Sequence, residues 1–370
     1  MSTITPIVMP KWGLSMKEGT VIEWLVEEGC IITTGMPIID METDKLANAV
    51  EAPDPGILRR KVASAGDLLP VKALLGVMAD QDVSDAEIDA YIAAYVTPVA
   101  TDEEDSSAQA FQYIEVDGIR VRYVQKGGST GTPVLLIHGY GGDLDNWLFN
   151  IDALSEKAPV IALDLPGHGQ SAVKLPAGVN LVAQAGFVVH FLDAINVTRA
   201  HMVGHSMGAA IASQIALDAP QYVASLTLIG SAGLGAEINS AYIDGFANAQ
   251  SRRELKPVLE ILFSDPALVS RQLVDDVLRY KRLDGVGSLL VELGQALFCD
   301  GKQNEQPGLK LGSSCPALVI WGRDDRVIPV NHASNAPKGA TVEILEGVGH
   351  MVQLERASEV NRLIIQHISA

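Results

Sequence analysis

The 370-residue sequence predicts two domains of different class. A small all-β domain spans residues 1–80, and an α/β domain with a helical lid spans residues 111–370. Three observations predict this. Short strand-like runs recur about every ten residues in the first 80, each punctuated by glycine. From residue 111, continuous apolar runs alternate with helical stretches, the mark of a mostly parallel sheet covered on both faces. Between them, residues 81–110 hold eight acidic residues and no lysine or arginine.

The first domain's runs are "TPIVMP", "GTVIEWLVEEG", "MPIIDME", "LANAVEAP", "GILRRKV" and "LLGVMAD". In the acidic segment, "DVSDAEIDAYIAAYV" predicts one short helix with Ser84 as N-cap and Glu87 at the capping-box position. "TPVATDEEDSSAQA" then reads as a solvated, self-repelling linker. The α/β domain opens with "FQYIEVDGIRVRYVQ", a hairpin turning at Asp117-Gly118. Six apolar strands follow: "PVLLIHG", "PVIALDLPG", "AHMVGHS", "SLTLIGS", "PALVIWG" and "VEILEGVGH". Residues 232–310 interrupt the alternation with polar-studded helical patterns and predict a lid over the strands' C-terminal ends.

Composition narrows the function. The net charge of −18 argues against a nucleic-acid partner. No apolar run reaches the ~18 residues of a membrane helix, and "LVAQAGFVVHFLDAI", broken by Gln184 and His190, reads as a buried helix. No basic region followed by an apolar core marks a secretory signal. Cys30, Cys299 and Cys315 form neither a disulfide framework nor a zinc spacing, so a cytoplasmic location is expected.

Gly-x-Ser-x-Gly occurs twice. Gly127–Gly131 lies in a glycine-rich turn with no helix after it and reads as a surface loop. Gly204-His205-Ser206-Met207-Gly208 instead joins a strand to a helix, where a sharp turn lifts the hydroxyl out of the sheet. "WGRDDRVIP" then offers Asp325, with Asp324 competing, and "GVGHMVQLE" offers His350. The order Ser206, Asp325, His350 resembles the triad of the α/β-hydrolase superfamily over residues 111–370. The resemblance implies that His350 takes the Ser206 proton and Asp325 holds the imidazole tautomer. The amides of Tyr140, in "HGYGG", and of Met207 are the candidate oxyanion hole. His138, His168 and His205 read as structural or pocket-lining, and Asp164 as shaping its loop. The fold alone does not name a substrate.

"MPKWGLSMKEGTVIEWLVEEG" followed by "ETDKLA" resembles a lipoyl domain of the 2-oxo-acid dehydrogenase complexes over residues 4–79. That resemblance implies lipoate attached to Lys45. Biotin carriers are similar but usually flank the lysine with methionines, where this chain has Asp44 and Leu46. A tethered arm raises the effective concentration of its cargo at a second site when the linker can span the gap.

A lipoyl domain fused to an α/β-hydrolase-like domain resembles the acyltransferase (E2) components of bacterial acetoin-cleaving systems. The resemblance implies a thiamine-diphosphate-dependent E1 that loads an acetyl group, coenzyme A as its acceptor, and a dihydrolipoyl dehydrogenase E3. It also implies a lipoate ligase. The chain departs from ordinary E2 components in lacking a His-x-x-x-Asp-Gly motif and a recognisable subunit-binding domain between 81 and 110. Two alternatives stay open: a lipoyl-tethered thioesterase or esterase, and a carrier or scaffold with a vestigial hydrolase domain. Seven lid cations (Arg252, Arg253, Lys256, Arg271, Arg279, Lys281, Arg282) are candidates for coenzyme A phosphates. However, 232–310 holds nine basic and eleven acidic residues, so it is no basic patch overall.

Overall fold

A computed structural model describes residues 4–10, 12, 16–43, 47–52, 54–98, 111–313 and 315–369. The chain divides into two compact units, Met1–Ala108 and Gln109–Ala370.

The first unit is built from β1 (Ile4–Val8), β2 (Glu18–Trp24), β3 (Ile31–Ile32), β4 (Pro37–Glu42), β5 (Ala47–Glu51), β6 (Gly56–Lys61), β7 (Leu68–Pro70) and β8 (Leu74–Ala79). They form two four-stranded sheets, ordered β1-β8-β6-β3 and β5-β4-β2-β7. Ile7, Ile32, Ile39, Met41, Leu58 and Leu75 fill the core. A register shift between Pro37 and Ile39 lets two successive residues, Ile38 and Ile39, both turn inward. The antiparallel ladder of β4 and β5 ends at the pair Glu42–Ala47, leaving four residues to join the strands. Lys45, with Asp44 and Leu46, lies outside the described residues. All six predicted strands are present. The two- and three-residue strands β3 and β7 are too short to show a period and escape sequence reading.

The predicted helix forms as α1 (Asp85–Ala94), with the Ser84–Glu87 capping box in place. It is not part of a free linker. Its Ile88 is fully buried in a cluster with Leu74, Val77 and Val83, and Tyr91, Ile92 and Tyr95 pack around it. Tyr95 Oη donates to the Lys72 carbonyl at 2.7 Å, and Arg59 pairs with Asp85 at 3.0 Å. The helix therefore belongs to the first unit. The DEED run, residues 102–105, lies outside the described residues.

The second unit centres on an eight-stranded sheet of β9 (Gln112–Val116), β10 (Ile119–Lys126), β11 (Val134–Ile137), β12 (Val160–Leu163), β13 (Ala200–His205), β14 (Val223–Ile229), β17 (Ala317–Gly322) and β18 (Thr341–Leu345). Its order is β18-β17-β14-β13-β11-β12-β10-β9. The last six strands in sequence run parallel; β9 and β10 form an antiparallel edge through the predicted Asp117-Gly118 turn, where both residues have positive φ. A small hairpin, β15 (Phe298–Cys299) with β16 (Lys302–Gln303), lies outside this sheet. Helices cover the sheet, among them the short α2 (Ile151–Ser155) and two longer ones. In α3 (Leu181–Ala194), Ala185, Val188 and Leu192 are buried while Val182 is exposed, so the apolar run packs by one face. The other, α4 (Met207–Asp218), starts directly after β13. Between β14 and β17 the predicted lid is present, with helices α5 (Ser240–Asn248), α6 (Arg252–Leu259), α7 (Arg271–Lys281) and α8 (Val286–Leu297). No helix among the described residues is long and apolar enough to cross a membrane.

Candidate active site

Ser206 sits between β13 and α4 with φ +53°. A non-glycine residue holds this left-handed conformation only where the surroundings impose it. The flanking glycines permit the close packing that surrounds it here. A Cβ on Gly204 would lie 2.4 Å from the Gly208 carbonyl oxygen, and one on Gly208 would lie 2.2 Å from that of Ile137. Helix and strands therefore meet backbone to backbone, and the serine is carried on a strained elbow. The Gly127 match falls in the turn after β10, as its reading as a surface loop requires.

His350 and Asp325 are brought together at the same end of the sheet. His350 Nδ1 lies 2.8 Å from Asp325 Oδ2, and both side chains are almost wholly buried. The other oxygen of Asp325 accepts the amides of Val327 and Ile328 at 2.8 and 2.9 Å. These donors fix the carboxylate's orientation. Asp324 is exposed and does not compete. The Ser206 amide donates to the Ile229 carbonyl. The next residue, Gly230, lies so near His350 that a Cβ there would stand 3.2 Å from Nδ1. The Ser206 hydroxyl and His350 do not meet hydrogen-bond geometry among the described contacts; such pairs commonly tighten only around substrate. The amides of Tyr140 and Met207 donate no hydrogen bond among the described residues, which leaves both N–H groups available. Met207 begins α4, so the helix N-terminus favours negative charge beside Ser206.

Three further buried histidines, His205, His138 and His168, and Asp164 support this geometry. His205 Nε2 donates to the His350 carbonyl at 2.9 Å, and the two rings pack in a tilted contact with centroids 4.7 Å apart. Burial holds His205 well below its usual pKa, so it stays neutral next to His350. His138 accepts the Leu165 amide at Nε2 and donates from Nδ1 to Gly139 O, tying the loop after β11 to the loop after β12. Its ring packs at a tilt against His168, whose pKa burial pushes down to about 4. Asp164 accepts a bidentate contact from Arg122, at 2.7 and 3.2 Å, and the amides of Leu144 and Gln170. Burial raises the Asp164 pKa, and Arg122 opposes that rise. The buried Arg122 partner was not foreseen; arginine in the alternating run "IRVRYVQ" looks like an outward-facing position. Of the seven lid cations, Arg252 is engaged with Asp275, Lys256 with Glu260 and Arg279 with Asp276, while Lys281 donates to the carbonyls of Phe246 and Ala247.

An alpha/beta hydrolase fold family model matches residues 132–357, and one described as biotin-requiring enzyme matches residues 5–78. A solved meta-cleavage product hydrolase of Pseudomonas fluorescens, 24% identical, aligns with TM-score 0.63 over 70% of this chain and 97% of its own, and shows the fold alone. Fold and elbow thus define an α/β-hydrolase-fold protein that carries a biotin/lipoyl domain in front. The whole chain is 60% identical over 367 residues to the dihydrolipoyllysine-residue acetyltransferase component of the acetoin cleaving system of Cupriavidus necator, covering 99% of this chain and 98% of the relative. It is 46% identical over the same length to the component of that name from Pseudomonas putida, again covering 99% and 98%. The chain belongs to the family of acetyltransferase components of acetoin cleaving systems.

Proposed function

We propose that this chain moves an acetyl group from a lipoyl arm on Lys45 to coenzyme A, with Ser206, His350 and Asp325 as the catalytic triad. The carrying observation is the buried 2.8 Å His350–Asp325 contact at the sheet end that also bears the strained Ser206 elbow. The first unit suits lipoate: its two sheets match the family model over 5–78, and Lys45 lies in the four-residue connection between paired strands. When attached, lipoate supplies a thiol that carries the acyl group as a thioester.

The site's geometry supports a two-stage acyl exchange on the protein's own residues. His350 accepts the Ser206 proton as Oγ attacks the thioester carbonyl, and the Tyr140 and Met207 amides stabilise the developing oxyanion. Collapse breaks the carbon–sulfur bond, and the thiol leaves with the proton from His350. The acyl-serine then meets the coenzyme A thiol, whose proton passes to His350 as sulfur attacks. Ser206 Oγ departs and recovers that proton. Asp325 steadies the imidazolium throughout. Transfer instead of hydrolysis requires exclusion of water, the role assigned to the lid. The family's name supports partners that load the acyl group and reoxidise the arm: a thiamine-diphosphate-dependent E1 and a dihydrolipoyl dehydrogenase E3.

The test incubates lipoylated full-length protein with an acetyl donor, with and without coenzyme A. Acetyl-CoA as the main product, lost in Ser206→Ala, is expected. Free acetate dominating in both cases would assign hydrolysis instead. Unchanged transfer in Ser206→Ala would leave a carrier with an idle hydrolase domain.

A further inference from the structure

The segment that follows lid helix α6, residues 260–264, is tied to both loops that carry the buried histidine–aspartate pair. The Leu262 carbonyl accepts the amides of His350 at 2.8 Å and Met351 at 3.2 Å. Arg326, next in sequence to Asp325, donates from Nη2 to the carbonyl of Glu260 and, at 2.7 Å, to that of Phe263. Glu355 closes the other side. Its Oε2 accepts the Ser264 amide at 2.8 Å and the Ser264 hydroxyl at 2.6 Å, and its Oε1 accepts the Gly349 amide at 3.0 Å. The approach is so close that a Cβ on Gly349 would lie 2.6 Å from the Ser264 nitrogen.

Glu355 is only 9% exposed. A carboxylate taken out of water is costly unless donors satisfy it, and an apolar side chain would fill the same space without that cost. Its donors come from the lid segment and from the residue before His350. The chemistry is that of a junction and not of general packing. Arg326 repeats the pattern next to the triad acid, with an exposed guanidinium reaching two lid carbonyls.

We propose that Glu355 and Arg326 are positioning residues that clamp lid residues 260–264 against the His350 and Asp325 loops, so that lid placement sets the orientation of the imidazole. The proposal rests on the triad reading of Ser206, His350 and Asp325. Both act through the backbone that carries the triad.

The experiment measures kcat and KM of the lipoylated full-length protein with S-acetyl-dihydrolipoamide and coenzyme A. The variants are Glu355→Gln, Arg326→Met and the double variant. A misplaced general base lowers kcat by roughly 10- to 100-fold. Each single variant is expected to show that loss with KM for the thioester within about threefold of wild type. The double variant should lose less than the product of the singles, because both act on one junction. Wild-type kcat in either single variant, a loss carried by KM alone, or strict multiplicativity would overturn the clamp. If Glu355→Gln fails to fold, Arg326→Met at its exposed position decides. Ser206→Ala run alongside separates the two claims. If it is inactive while both clamp variants are fully active, only the clamp falls; if it retains transfer, the triad reading falls and the clamp with it.

Discussion

The two units treat polar side chains in opposite ways. Every buried polar or charged residue among the described residues lies in the second unit; the first has an apolar core throughout. All eight histidines also lie in the second unit. A core of isoleucine, leucine and methionine can hold a hairpin but offers no group to move a proton. Any reactive role of the first unit must therefore sit on its surface, which is where a carrier's attachment lysine belongs. The second unit buries ionisable groups at the end of its sheet, where exclusion of water strengthens each hydrogen bond to them.

The largest effect expected from breaking that contrast is a pair of substitutions with separable consequences. Ser206→Ala should cut turnover of a free acyl thioester by at least about 10³-fold. Lys45→Arg should leave that turnover intact and abolish transfer through the assembled complex. Intact mass gives the control, since the lipoyl increment should vanish in Lys45→Arg alone. Turnover unaffected by Ser206→Ala would remove the catalytic role from the second unit. Next in size, Asp325→Asn should lower kcat by on the order of 10⁴-fold, because the imidazole loses its correct tautomer. A similar loss in Asp324→Asn would mean that burial chose the wrong carboxylate.

Smaller effects concern stability. Ile39→Ala in the first core should cost about 2–5 kcal/mol of that unit's stability, read by denaturant unfolding, while sparing free-thioester turnover. A fall in turnover matching the stability loss would deny the units their separate roles. The other stability effect is pH-dependent. Burial lowers the pKa of His138, His168 and His205, with His168 at about 4. Depressed folded-state values mean that the unfolded chain takes up protons first. The stabilisation is complete above the unfolded value near 6.5 and is lost as pH falls towards 4, with His168 contributing on the order of 3 kcal/mol. The second unit should lose stability in that window and the first, lacking histidine, should lose much less. Parallel pH profiles for both units would contradict this.

How much of this was legible in sequence follows the same division. Strand period, the Asp117-Gly118 turn and the Ser84–Glu87 box are local signals, and each has the predicted structure. The order of Ser206, Asp325 and His350 was readable because the elbow and two loops follow strands in a fixed sequence. Sequence left Asp324 as a competitor; the structure adds that Asp325 is the carboxylate that meets His350 and accepts the Val327 and Ile328 amides. The docking of α1 carried an unread signal: Ile88, Tyr91, Ile92 and Tyr95 recur at helical spacing, a face that needs a partner. Arg122–Asp164 and Glu355–Ser264 join residues 42 and 91 positions apart, and no local pattern pairs them.

The central claim is that Ser206 itself holds the acyl group between donor and acceptor. Peptide mass mapping after a brief reaction with acetyl donor, without coenzyme A, tests it most directly. The account predicts an added acetyl group on Ser206 that disappears when coenzyme A is supplied and never forms in Ser206→Ala. Acetyl-CoA formed at the wild-type rate by Ser206→Ala, with no acetyl on this serine in the native protein, would contradict it.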